Sequence, residues 1–263
     1  MLKLAVSGAC GRMGRRITAL AHESGDIQLV AALEAPHHPQ LGADAGEIAG
    51  VGKLNLPVAD GLGAAADVLI DFSLPAGAEK WGRYCAQHRL PLVVGTTGLA
   101  DAQMQVLRDA SVRTPILVGA NMSLGVNLLF KLAAQVAAVL TDEYDVEMVE
   151  THHRFKRDAP SGTALELARR IATAKGWPFP DCLTHGRQGK DALRQTQTIG
   201  MHAVRAGDVV GDHSVVFSTL GETLTLHHQA HSRDTFARGA LRAARWLVGR
   251  PAGWYGMADV LGL

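Results

Sequence analysis

Apolar residues fall along this chain in two different rhythms. In the first half, short and nearly continuous apolar runs alternate with segments whose apolar positions recur every three or four residues. The order is LKLAVSG, then a helix from about Arg12; IQLVAALE; DVLIDFS, then a helix over 76–88; PLVVGTTG, then a helix over 101–110; and PILVGANMS. Runs this rich in Val, Ile and Leu, each closing on Gly, Ser or Asn, suit parallel strands buried on both faces. The predicted class is α/β, with a doubly wound, Rossmann-type first domain.

After Ser123 the rhythm changes. A long helix over 124–140 leads into YDVEMVETHH, and a second helix over 161–175 follows. Beyond it, TIGMHAVRAG, DHSVVFSTLG and ETLTLHHQAHS are joined by turns at Arg205-Ala206-Gly207-Asp208 and Gly221-Glu222. That pattern predicts an open antiparallel sheet with a few helices, a second domain of α+β type. A last helix over 234–248 has apolar positions at helical spacing and is expected to return to the first domain. The domains are therefore expected at 1–123 plus 233–263 and at 124–232. Closure of one over the other is expected on general grounds, with Ser123 and Ser232-Arg233 as the hinge.

Composition narrows the function classes. With 263 residues and 47% hydrophobic content, two packed cores are within reach. Lys+Arg number 26 against 25 Asp+Glu, a net charge of +1, so there is no diffuse basic field for nucleic acid or an anionic membrane. The opening MLKLAVSGACGRMG turns to glycine within eight positions, and no later apolar run reaches the ~20 residues of a membrane span; a cytoplasmic protein is expected. Cys10, Cys85 and Cys182 are odd in number, far apart and without CxxC spacing, which predicts reduced thiols and no structural zinc. Histidine sets such as His152, His153 and His185, or His227, His228 and His231, lack the carboxylate or thiolate that would complete a metal site.

Two stretches carry candidate chemistry. GACGRMG follows the first strand and opens a helix, placing Gly8, Gly11 and Gly14 where backbone NH groups can close on a pyrophosphate at a positive helix end. Glu34, twenty residues past Gly14 at the end of the second strand, is where a carboxylate meets adenosine ribose hydroxyls. Gly95-Thr96-Thr97-Gly98 and Gly119-Ala120-Asn121-Met122 end later strands, with room for a nicotinamide ring. The second stretch is ETHHRFKRDAPSGTAL, residues 150–165. Ser161 or Asp158 can cap a helix that Pro160 introduces, leaving the NH groups of Gly162 and Thr163 and the Thr163 hydroxyl as an anion pocket. His152, His153, Arg154, Lys156 and Arg157 bring cations to it, so an acid, even a diacid, is the expected substrate. Lysine and histidine both suit proton transfer beside a carboxylate.

With these motifs in hand, the chain resembles the dihydrodipicolinate (4-hydroxy-tetrahydrodipicolinate) reductase family of the diaminopimelate and lysine pathway. GACGRMG, Glu34, DFSLP, VVGTTG, GANMSLGVN, ETHHRFKRDAPSGTA, IGMHAVRAGDVVGDHSVVF and GETLTLHHQAHSRDTFARGALRAARWL occur in family order, nearly end to end. The resemblance implies hydride transfer from NADH or NADPH to a ring carbon of a small cyclic dicarboxylate, with loss of water. It implies His152 as proton donor or acceptor and Lys156 as proton donor, with His153, Ser161, Gly162 and Thr163 at the substrate carboxylates. Cofactor contacts are implied for Gly8, Ala9, Cys10, Gly11, Arg12, Met13, Glu34, Gly95, Thr96, Thr97, Ala120, Asn121 and Met122. A homotetramer assembled through the second domain is implied too. One departure stands out: many relatives carry an arginine after the acidic strand end, whereas Glu34 is followed here by Ala35 and Pro36. A carboxylate without that cation disfavours a 2′-phosphate, so a tilt toward NADH is expected, with His37 and His38 as partial substitutes. An amino-acid or sugar dehydrogenase and a non-catalytic NADH sensor are the competing expectations, and the pairing of Lys156 with Ser161-Gly162-Thr163 speaks against both.

Overall fold

The computed structural model describes all residues, Met1–Leu263. In chain order the elements begin with β1 (Leu2–Ser7), α1 (Arg12–Ser24), β2 (Ile27–Leu33), α2 (Ala45–Ala49), β3 (Val58–Ala59), β4 (Val68–Asp71), α3 (Pro75–His88), β5 (Leu92–Val94), α4 (Asp101–Ser111) and β6 (Pro115–Val118). They continue through α5 (Leu124–Val139), β7 (Asp145–His152), α6 (Gly162–Lys175), β8 (Leu183–His185), β9 (Ile199–Arg205), β10 (Gly211–Thr219) and β11 (Glu222–Ala230). The chain closes with α7 (Asp234–Leu247), β12 (Gly253–Tyr255) and α8 (Met257–Leu261). It divides into two compact units, Met1–Leu124 with Arg233–Leu263, and Gly125–Ser232.

The first unit is a seven-stranded parallel sheet in the order β12-β6-β5-β4-β1-β2-β3. Alternate residues of its strands face opposite ways, and each face has its own core. Leu4, Val6, Val68, Ile70 and Leu117 meet residues of α1 and α7, including Ile17, Leu20 and Leu241. Ala5, Leu69, Leu92 and Ile116 meet residues of α3 and α4, including Trp81, Cys85 and Leu107. Burial on both sides is why these strands read as continuous apolar runs. α7 lies against α1, tied by Arg16 to Asp234 at 2.6 Å and by Arg245 to Asp26 at 2.7 Å. Four short elements, α2, β3, β12 and α8, have no periodic signal long enough to predict. The winding changes direction between β1 and β4, which are neighbours in the sheet, so the crevice above their carboxyl ends is the switch point of the fold.

The sheet of the second unit, β11-β10-β7-β9-β8, is mixed and not the antiparallel sheet expected. β10 pairs antiparallel with β11 and with β7, but β9 runs parallel to β7 and to β8. The reason is the crossover: α6 carries the chain back along the sheet after β7, and a strand entered that way runs parallel. β9 and β10 consequently flank β7, and residues 206–210 are no hairpin turn. They cross the end of β7, where Ala206 NH donates to the His152 carbonyl at 2.9 Å and Arg154 NH to that of Gly207 at 3.1 Å. One sheet face packs on α5 and α6 through Val146, Met148, Val215 and Phe217 against Phe130, Leu167 and Ile171. The segment before β9 is pinned by Arg187 and Arg194, which bind Glu147 at 2.7 and 3.2 Å. No helix of the chain is long and apolar enough to cross a membrane.

Candidate active site

At the carboxyl end of β1 the chain turns so tightly that two glycines are obligatory. Gly8 has φ +75°, and a Cβ there would lie 2.3 Å from the Phe72 carbonyl oxygen; one on Gly14 would lie 2.1 Å from the Gly8 oxygen. The turn delivers α1 with Gly11 as its N-cap and with no capping side chain and no acidic residue in its first turn. Its amide dipoles are left for an anion. Beside this loop lies a cavity of about 520 Å³, lined among others by Gly8, Gly11, Glu34, His38, Ser73 and Lys80. Glu34 accepts from Cys10 NH at 2.8 Å and from Ala35 NH at 3.3 Å. Burial and the neighbouring Glu34 carboxylate push the Cys10 thiol up to about 11, so it is a packing residue and not a thiolate.

The other predicted positions of this unit fall into two groups. Ala9 and Cys10 are buried beneath the turn, whereas Arg12 is exposed and Met13 half-buried on α1. Gly95 is needed where it is, since a Cβ would strike the Phe72 ring at 2.2 Å. Thr96 is buried and donates to Asp71 at 2.6 Å, while Thr97 is exposed. Ala120 is exposed, and the Asn121 side chain accepts from Ser123 NH at 2.9 Å. Met122 differs from expectation: its side chain belongs to the core, and Gly239 of α7 comes so close that a Cβ would be 1.8 Å from the Met122 oxygen. Of the two histidines weighed as substitutes for a missing cation, His38 lines the cavity and His37 does not; Lys80 on α3, which the sequence did not single out, does.

In the second unit, β7 alternates buried and accessible residues, and its buried face ends with two polar ones, Glu150 and His152. Glu150 is only 2% exposed and is the hub of the site. Its carboxylate meets His152 Nδ1 in a short contact, accepts from Arg205 Nη2 at 2.8 Å and Nη1 at 3.0 Å, and accepts from Ser161 NH at 3.1 Å. Arg205 is beside His152 because the parallel register pairs them, and it reaches on to the Asp158 carbonyl at 2.6 Å. Burial by itself would raise the Glu150 pKa, but the Arg205 guanidinium and His152 outweigh it and hold the carboxyl below its usual range. His152 moves down, burial opposing its charge more than Glu150 favours it. With Glu150 ionised and His152 neutral, Nδ1 donates to the carboxylate and Nε2 is left as the unprotonated ring nitrogen.

Ser161, not Asp158, is the N-cap of α6: its Oγ accepts from Ala164 NH at 3.2 Å and lies 3.2 Å from His213 Nε2. With its NH on Glu150, Ser161 has its polar atoms committed within the protein. Gly162, exposed, and Thr163, half-buried, are the first helical residues. His213, paired with Glu150 across β7 and β10, stands edge-on to His152 at 5.1 Å, and burial pushes it down to about 3. Lys156 is held at 2.9 Å by Asp158. His153 is half-buried, and its Nδ1 is buried with no hydrogen-bond partner in the protein.

The sequence matches two family models, described as dihydrodipicolinate reductase, N-terminus, over residues 2–122, and dihydrodipicolinate reductase, C-terminus, over residues 125–261. The 4-hydroxy-tetrahydrodipicolinate reductase of Magnetococcus marinus is 49% identical over 99% of this chain and 98% of its own. That of Alkalilimnicola ehrlichii is 47% identical over 99% of both. The chain belongs to the dihydrodipicolinate reductase family. It is an NAD(P)H-dependent oxidoreductase. The solved dipicolinate-bound dihydrodipicolinate reductase from Paenisporosarcina sp. TG-14 has the same fold, with a TM-score of 0.76 at 25% identity over 98% of each chain.

The first unit fits the nicotinamide dinucleotide of a dihydrodipicolinate reductase on its own evidence: a glycine turn that a Cβ would fill, an uncapped helix start and a carboxylate on the cavity wall. Three polar residues of the second unit were not singled out from sequence. Glu150 precedes the flagged histidine by two, the spacing that puts both on one strand face. Arg205 and His213 lie in the family-specific IGMHAVRAGDVVGDHSVVF segment, but only strand pairing brings them to Glu150. Asp71 of the first unit is a fourth omission, hidden inside an apolar run.

Proposed function

We propose that this enzyme reduces 4-hydroxy-tetrahydrodipicolinate to tetrahydrodipicolinate with NAD(P)H, serving diaminopimelate and lysine synthesis. The single observation that supports the assignment of roles is the Glu150 hub, whose carboxylate ties His152 and the N-terminus of α6 together. Gly162 and Thr163 hold one substrate carboxylate with backbone NH groups and the Thr163 hydroxyl, and His153 holds the other. Ser161 contributes by capping the helix that presents them. Lys156, held by Asp158, gives a proton as the substrate hydroxyl departs as water, and His152 Nε2 accepts or returns a proton at the ring. The bound cofactor supplies the hydride. Gly8, Ala9, Cys10, Gly11, Arg12 and Met13 form its pyrophosphate turn, Glu34 takes the adenosine ribose, and residues 95–97 with Ala120 and Asn121 border the nicotinamide.

A carboxylate at Glu34 followed by Ala35 favours NADH, and His38 and Lys80 on the cavity wall temper that preference. The open face of the second sheet, with Val149 and Val204 each more than a third exposed, supports assembly as a homotetramer. The test is oxidation of NADH and NADPH in parallel with freshly generated 4-hydroxy-tetrahydrodipicolinate, for the native protein and for Lys156→Ala. Turnover is expected to be faster with NADH, and to fall by about 10²-fold in the variant with cofactor affinity retained. Undiminished turnover in Lys156→Ala would refute its role, and a clear preference for NADPH would refute the reading of Ala35. Sedimentation of the native protein tests the tetramer.

A further inference from the structure

The floor of the switch-point crevice holds a buried acidic residue with no assigned task. Ser7 and Asp71 are the last residues paired between β1 and β4, the two strands that bound the crevice, and dinucleotides in open α/β sheets lie just beyond such strand ends. Asp71 is fully buried, yet its carboxylate gathers the exits of three strands. It accepts from Ser73 Oγ at 2.7 Å beyond β4, from Thr96 Oγ1 at 2.6 Å beyond β5, and from the side chain of Ser7 at the end of β1. Thr96 Oγ1 in turn accepts from Ser73 NH at 3.0 Å, which commits its own hydrogen to Asp71. These partners are uncharged, so they orient the carboxylate without neutralising it. Burial accordingly raises its pKa despite the hydroxyls.

We propose that Asp71 is a positioning residue that fixes the loops after β1, β4 and β5 and biases the crevice toward the oxidised, cationic nicotinamide. The proposal rests on the cofactor reading above. When the dihydronicotinamide C–H bond breaks, the hydride leaves with both electrons for the substrate ring carbon and the nicotinamide ring becomes a cation. A buried carboxylate at the floor of the crevice attracts the cationic product form and is indifferent to the neutral reactant form, which makes the cofactor a better hydride donor.

The experiment measures binding and involves no turnover. Dissociation constants for NAD+ and NADH are determined by titration calorimetry on the native protein and on Asp71→Asn, an isosteric change. Loss of the charge is expected to weaken NAD+ by about tenfold and to change NADH by less than about twofold. Thr96→Val, which keeps the charge and removes one loop anchor, is expected to shift both forms together. Asp71→Ser also removes the charge and must move the ratio in the same direction, so a misfolded Asp71→Asn leaves the question decidable. Equal weakening of the two forms, or an unchanged ratio, would overturn the proposal. Native protein that binds neither form would instead defeat the cofactor reading itself.

Discussion

Asp71 and Glu150 are both buried carboxylates near the carboxyl end of a strand, one in each unit, and their surroundings have driven them in opposite directions. Asp71 is met by hydroxyls, and burial wins: its pKa rises. Glu150 is met by a guanidinium and an imidazole, and the partners win: its pKa falls. Burial is common to both, so what decides the charge state is the charge of the neighbours and not depth. The difference suits the tasks proposed for them, since Glu150 must stay ionised to hold His152 in one tautomer, whereas Asp71 has only hydroxyl partners and no cation of the protein beside it.

The strongest way to break this comparison is to remove the cation. Arg205→Met leaves Glu150 buried without its guanidinium partner, and is expected to cost about 3 kcal/mol in chemical denaturation. A cost below about 1 kcal/mol would mean that Arg205 is not what holds the carboxylate.

Stability against pH separates the two acids further. Glu150, depressed in the folded state, contributes stability above the unfolded value of 4.5 that is lost as pH falls through its folded value. Asp71, raised, acts in reverse: its contribution is most favourable below 3.8 and is lost as pH rises through its folded value. At pH 7, Glu150→Gln should therefore destabilise by about 2 kcal/mol, and Asp71→Asn should be neutral or stabilising. The same sign for both would dissolve the contrast.

His213 provides a third measure of the Glu150 neighbourhood. Depressed to about 3, it stays neutral in the fold while the unfolded chain takes up a proton below 6.5, so stability drops as pH falls across that window. At pH 5 the loss is on the order of 2 kcal/mol, and His213→Asn should flatten the curve there. A curve unchanged in His213→Asn would assign the drop to another group.

The smallest effect is expected at the cap. Ser161→Ala removes the acceptor for Ala164 NH and should cost about 1 kcal/mol in thermal unfolding. Because its NH still reaches Glu150, His152 should keep its place. A loss of activity far beyond the loss of stability would give the Ser161 hydroxyl a direct part in binding substrate.

The glycine turn, the strand-end acid Glu34, the histidine pair, Lys156 and the cap at Ser161 were all legible in the sequence. Each is a local device, in which residues a few positions apart meet by the geometry of one turn or one helix start. The alternation of the first half carried its parallel sheet for the same reason. Less legible was the sheet of the second unit, where TIGMHAVRAG and DHSVVFSTLG read as a hairpin and proved to flank β7 on opposite sides. Strand periodicity states which residues share a face, but not which strand lies alongside. Met122 shows the same limit at one residue, since its loop position suggested a ligand contact and the approach of Gly239 made it core.

By itself, the sequence determined the α/β class, the two-part organisation, the family and the residues that turn, cap or carry charge within a short stretch, because those follow from local geometry and periodicity. Only the tertiary structure decided which carboxylates are buried and what neutralises them. Arg205 lies 55 positions from Glu150 and His213 lies 52 from Ser161, while Thr96 lies 25 from Asp71. Strand register and crossover direction make these encounters, and the electrostatics of both buried acids depend on them.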